Sequence, residues 1–219
     1  MTNPFFKNYG PLKLKDIYKV LKIKTNSNFK NIKIFDITDL SSASGKDITF
    51  LHSNKYKSQA SITKAAACIT TKNLQYNLPI KCEKIIVENV LISSAKVTGI
   101  LYPDSTNDDF DNSVKEISKT KFKNKVKFGK NVLIGSNVKI GKKCLIGHNT
   151  IIEKNVIIGD NCSIGSNSII RNSILKNNIK VLDSCVIGKK GFGFFPMNGN
   201  NFRFPQIGIV LINDYSEIG

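Results

Sequence analysis

Histidine and arginine are scarce in this chain, with two of each among 219 residues. Two histidines, His52 and His148, exclude a three-histidine zinc site. Five cysteines without a C-x-x-C pair exclude a disulfide framework and the usual zinc spacings. No apolar run reaches the roughly eighteen residues that a membrane-spanning helix requires. The opening MTNPFFKNYGPLKLKD has no basic stretch followed by an apolar core, so no secretory signal is expected. Nucleophile-elbow G-x-S-x-G, phosphate-cradling G-x-x-x-x-G-K-S/T and dinucleotide-binding G-x-G-x-x-G after a strand are all missing. The expected setting is a reducing, cytoplasmic one, with no metal and no cofactor.

Arginine scarcity also decides how the charge is read. The chain has 33 basic against 16 acidic residues and a formal net charge of +17, yet only Arg171 and Arg203 are arginine. Lysine in place of arginine, together with 25 asparagines and abundant isoleucine, is what an AT-rich coding sequence produces. A nucleic-acid binder uses arginine for bidentate contacts to bases and phosphates. The charge is therefore read as a surface bias that leaves an acidic protein partner open.

The chain divides into two unlike halves. In the first, Leu14, Ile17, Tyr18 and Leu21 recur at helical spacing after Pro11, and residues 90–101 predict a second helix stopped by Pro103. NIKIFDI, DITFL, AAACIT and EKIIVEN predict strands. An α+β domain over residues 1–104 and a polar, acidic linker over 105–122 follow.

From Phe128 the pattern changes. An apolar residue returns every six positions: Phe128, Ile134, Ile140, Ile146, Ile152, Ile158, Ile164 and Ile170. Glycine follows at once in six of the eight places, Glu153 and Arg171 being the exceptions, and asparagine stands three residues on in six. Two residues before each sits a compact side chain, Val126 to Ser168. A hexad is one short strand plus a turn, and three hexads wind once around a triangular prism. The large aliphatic points inward, while asparagine and glycine are expected to supply the left-handed backbone of the corners. Coils stack at about 4.8 Å. The fold class is thus an α+β N-terminal domain followed by an all-β left-handed parallel β-helix over residues 123–219. The phase slips by one residue after Ile170, and a loop over 188–208, GKKGFGFFPMNGNNFRFPQIG, interrupts the hexads before Ile212 and Ile218 resume them. Long loops thrown from repeat arrays are usually functional.

Few side chains suit chemistry. His148 follows Gly147 at a coil corner and is read as a surface turn residue. Cys144 and Cys162 lie three hexads apart, on adjacent coils, where distance alone would permit a disulfide; they are read as reduced core fillers, as are Cys68, Cys82 and Cys185. Phe50 and Tyr56 flank a polar turn and have two readings: core residues, or a pair that sandwiches a flat base while an amide reads its edge.

The ITF…NKY segment, the hexads and the GFGF…FPQIG loop together resemble the UDP-3-O-acylglucosamine N-acyltransferases of lipid A biosynthesis, over nearly the whole chain. The resemblance implies a homotrimer acting on UDP-3-O-acylglucosamine with acyl carrier protein as the 3-hydroxyacyl donor. It implies uracil held between Phe50 and Tyr56. The family's asparagine is replaced by Ser53, with Asn54 one position later as the substitute amide. The family's catalytic histidine lies in an IAHN-like stretch beyond the loop, so it is expected beyond Gly219 and no residue here is assigned to catalysis. Two other readings stay open: another hexapeptide acyl- or acetyltransferase acting on a nucleotide sugar, and a non-catalytic nucleotide-sugar-binding protein.

Overall fold

The computed structural model describes residues 3–24, 32–122, 126–197 and 199–219. Asn31, at the head of an expected strand, and residues 123–125, at the head of the expected β-helix, lie outside them. The chain forms two compact units, one of Phe6–Asn107 with Gly193–Gln206, the other of Asp108–Phe192 with Met1–Phe5 and Ile207–Gly219.

In the first unit, strands Asp36–Ile37, Asp47–Leu51, Ala67–Thr70 and Glu83–Ile86 form a parallel sheet in sequential order. Ile48, Ala67, Cys68, Ile69 and Ile85 are fully buried in it. The expected helices form at Leu14–Val20 and Val90–Leu101. Asn89 starts the second, its side-chain oxygen accepting the Ile92 N–H at 3.0 Å. Beyond its end, the Tyr102 hydroxyl donates to Asp36 at 2.6 Å, tying the helix back to the first sheet strand. Within Gly193–Gln206, strands Phe194–Met197 and Asn200–Arg203 form an antiparallel hairpin, with the Phe195 and Phe204 rings 5.8 Å apart. The aromatic loop thus has regular structure that its sequence did not announce.

The second unit is the left-handed parallel β-helix. Its first face carries strands Lys139–Ile140, Ile157–Ile158, Ser173–Leu175 and Val210–Ile212; its second runs from Lys127–Phe128 to Glu217–Ile218. The third stacks Leu133–Ile134, Ile151–Ile152, Ile169–Ile170 and Val186–Ile187, and Lys115–Glu116 pairs antiparallel to its lowest strand. Partners stand eighteen residues apart up to Ile170, as in Ile152 beside Ile170, and seventeen apart across the slip, as in Ile158 beside Leu175. The slip is therefore a one-residue deletion at a corner. Ile134, Ile146, Ile152, Ile158, Ile164, Ile170, Leu175 and Val181 fill the prism, each at most 2% exposed. Each contributes about 1.5–3 kcal/mol by burial.

Asparagine and glycine divide the work of the corner in a way the sequence reading missed. The asparagine column does take the left-handed region, with φ of +57° at Asn131, +54° at Asn149 and +57° at Asn167. The six glycines of the column from Gly129 to Gly165 do not. A Cβ on Gly147 would stand 2.5 Å from the Ser166 amide nitrogen, and one on Gly129 2.6 Å from that of His148. Glycine is needed there because adjacent coils approach too closely for a side chain. Glu153 and Arg171, the two exceptions, stack on neighbouring coils as an ion pair at 3.5 Å. Burial pushes the Glu153 carboxyl up, and the Arg171 charge opposes that.

A third corner element was invisible in the hexad pattern. The residue two positions after the core aliphatic accepts, through its side chain, the backbone N–H one coil earlier: His148 from Lys130, Asp160 from Lys142, Ser166 from His148, Asp214 from Asn177. At Ser136 and Lys154 the ladder has no such acceptor. Lys154 stands one coil beyond Ser136 and has only donors, and the deletion removes the position one coil beyond Lys154. Ser113 and Asp111 supply the acceptors instead, at 2.9 and 2.7 Å. The acidic segment expected as a linker thus contributes two rungs.

Burial pushes the Asp111 carboxyl up, but hydrogen bonds from Ser113 and Lys154 together outweigh it and hold the group below its ordinary value. Its contribution to stability is complete above the unfolded-state carboxylate pKa and fades as pH falls through the lowered native value. Asp111→Asn should reduce unfolding free energy by about 1–2 kcal/mol near neutral pH, and urea titrations should show the deficit shrinking toward acidic pH. A deficit independent of pH would contradict this role.

Candidate functional site

The site expected at Phe50, Asn54 and Tyr56 is built on one strand end and the turn that follows it. Strand Asp47–Leu51 lies inside the sheet, Phe50 pairing with Ile69, and Phe50 is half-buried while its neighbours Thr49 and Leu51 are buried. His52 follows with the same alternation, so it projects to the side of Phe50. Ser53 then caps the short 3-10 turn Asn54–Tyr56, its hydroxyl accepting the Lys55 N–H at 3.3 Å. Helix Lys57–Ser61 continues the turn and buries Ala60.

Tyr56 is half-buried against the cluster that includes Leu51, Ala60, Cys68 and Leu78. One edge of the ring is thereby fixed, and the other remains accessible. Asn54 is exposed, and its side-chain oxygen accepts a hydrogen bond from Asn77 at 3.4 Å. The His52 ring contacts both aromatics, with centroids 6.2 Å from Phe50 and 5.3 Å from Tyr56. The sequence reading passed over His52; the signal available was its i+2 spacing from Phe50 along a strand.

Beside this turn is an open pocket of about 560 Å3, lined by Lys55, Lys57, Ser58, Tyr76, Asn77 and Pro79 among others. Neither Phe50 nor Tyr56 lines it. Its wall meets the aromatic group through Asn77, the residue bonded to Asn54.

The remaining candidates are structural. His148 is an exposed corner residue, as read, and its Nδ1 accepts the Lys130 N–H at 2.9 Å, which leaves that nitrogen unable to act as a base. Cys144 and Cys162 stack on adjacent coils as free, buried thiols. The hydrogen bond between them and burial push the Cys144 thiol far up. Burial likewise raises Cys82, to about 11. Among the described residues no three His, Cys, Asp or Glu side chains gather where a metal could be held, and no helix is long and apolar enough to cross a membrane.

Known proteins share both units. Residues 31–100 match the family model described as UDP-3-O-(3-hydroxymyristoyl) glucosamine N-acyltransferase, LpxD, and residues 137–172 match that of the bacterial transferase hexapeptide, six repeats. The chain is 43% identical over 223 residues to a UDP-3-O-acylglucosamine N-acyltransferase of Rickettsia prowazekii, an alignment covering 100% of this chain and 64% of that protein. Over 104 residues it is 36% identical to the protein of that name in Rickettsia akari, covering 47% of this chain and 30% of the relative. The Rickettsia canadensis protein is 35% identical over 103 residues. The resemblance read in the sequence therefore holds along the whole chain, which spans less than two thirds of the length of these relatives.

Thiol accessibility gives a test of the cysteine placement. Brief labelling of the native protein with a maleimide, read by mass spectrometry, should modify Cys185 first and leave Cys68, Cys82, Cys144 and Cys162 protected until denaturant is added. Rapid native labelling of Cys144 or Cys162 would place them outside the core column.

Proposed function

We propose that this chain is the nucleotide-binding unit and leading coils of an N-acyltransferase that moves a 3-hydroxyacyl chain from acyl carrier protein to the 2-amine of UDP-3-O-acylglucosamine. The observation that supports it best is the pairing, in one sequence, of a turn that presents Phe50 and Tyr56 with a hexad β-helix interrupted by an aromatic hairpin. The whole-chain similarity to proteins of that name points the same way. Uracil would lie between the two rings, with Asn54 beside them. In the transfer, the amine nitrogen attacks the thioester carbonyl, the C–S bond breaks, and the carrier leaves as a thiol. That step requires a general base for the amine proton and a donor for the oxyanion. No residue of these 219 is assigned as the base. The reading places the enzyme in the cytoplasm, in keeping with five unlinked cysteines, and lets the charge of +17 steer an acidic carrier toward it.

A trimer belongs to the same reading. Outward positions of the third face are Leu133, Ile151, Ile169 and Val186, and those of the first include Ile157, Ile174 and Leu211. Val186 is 46% and Leu211 54% exposed. The second face instead shows Lys127, Ser163, Lys180 and Glu217 among its outward residues. The first face also shows Lys139 and the second Leu145. Two faces with more outward apolar residues than the third suit a closed ring in which each prism meets two neighbours through different surfaces.

Phe50→Ala should weaken binding of a UDP-sugar by about 1–3 kcal/mol through lost base stacking, measured by calorimetry. An unchanged dissociation constant would remove the aromatic pair from the site. Light scattering should give about three times the 24.3 kDa chain mass, and Leu211→Glu should lower it. A monomeric wild-type chain would overturn the trimer.

A further inference from the structure

The His52 ring packs against both members of the pair, Phe50 and Tyr56, proposed to sandwich a base. Its centroid distances of 6.2 and 5.3 Å bridge the two rings, and the interplanar angles of 33° and 47° are neither parallel stacks nor edge-to-face contacts. The imidazole is therefore held weakly. It is exposed, and among the described residues its ring nitrogens make no hydrogen bond. Two oxygens of the turn are engaged locally as acceptors. The Ser53 hydroxyl accepts from Lys55, and the Asn54 oxygen accepts from Asn77. His52 and Tyr56 each combine ring area with a donor for a ligand, and His52 is the ring in contact with both members of the aromatic pair.

We infer that His52 is the residue that selects the base: it fills the slot while the slot is empty, yields to an entering pyrimidine, and donates its imidazole N–H to a carbonyl oxygen of uracil. The inference rests on the nucleotide-binding reading of this turn and adds a specificity residue to it. A neutral imidazole presents one donor and one acceptor. Uracil offers a carbonyl where cytosine carries an amine, so a donor placed at that edge favours uracil. The ring's loose packing keeps its displacement inexpensive, and the new hydrogen bond offsets it.

The test compares UMP and CMP binding to the wild-type chain and to His52→Phe and His52→Ala, with calorimetry for affinity and thermal melting to check folding. The wild type should prefer UMP. His52→Phe keeps a ring in the slot without the N–H, and should weaken UMP binding about five- to tenfold and erase the preference over CMP. His52→Ala should weaken it less, because the slot then stands open. Imidazole proton resonances of His52 should move when UMP is added to the wild type. Unchanged UMP affinity and selectivity in His52→Phe, while Phe50→Ala loses binding, would overturn the role of His52 alone. No UMP binding by the wild type would overturn the site itself and the inference with it.

Discussion

The β-helix depends on one constraint: along each face, the backbone of one coil hydrogen-bonds to the backbone of the next. The Leu133 N–H donates to the Thr150 carbonyl at 3.0 Å and that of Gly135 to Ile152 at 2.7 Å, and the same pattern repeats along all three faces. Among the described residues of the coils, backbone N–H groups find their backbone partners in a neighbouring coil, so a coil out of register would leave buried donors and acceptors without partners. Strands of matched length on each face, left-handed residues at the corners and glycine at most close approaches are all ways of holding that register. The core isoleucines then stack upon one another because their backbones do.

This explains which features could be read from the sequence. A constraint that repeats every six residues writes itself as a column, and the isoleucine and asparagine columns located strands and corners before any coordinate. The single deletion after Ile170 was legible as well, because it shifts every later column. Features that occur once left no column. Asp111 and Ser113 cap coils far from them in sequence, and their role became visible only where the side-chain ladder failed. The glycine column was seen but given the wrong cause: six glycines do not say whether they serve φ or proximity, and only the next coil's backbone decides.

The N-terminal unit was legible for a different reason. Its strands are short apolar runs, and its second helix carries an end signal in Pro103. Its candidate site depends on a seven-residue window, Phe50 to Tyr56, that joins a strand end to a 3-10 turn. Phe50 and Tyr56 were picked out by a resemblance, whereas His52 sat between them unassigned. Strand alternation carries the chain from Phe50 to His52 on one side, and the 3-10 turn brings Tyr56 back to them. Three rings converge because a strand ends two residues before a cap.

Two departures from the eighteen-residue coil carry a further consequence. One coil is a residue short, and one is so lengthened by the aromatic hairpin that Leu175 and its partner Ile212 stand thirty-seven positions apart. Both changes fall at the margins of the faces, and the pairing resumes unaltered in the coil above. The prism thus behaves as a lathe-turned column with removable brackets. Its shaft tolerates no change of length within a face, while its corners accept deletions and grafts of whole supersecondary elements. New surface chemistry can be mounted there without recutting the core.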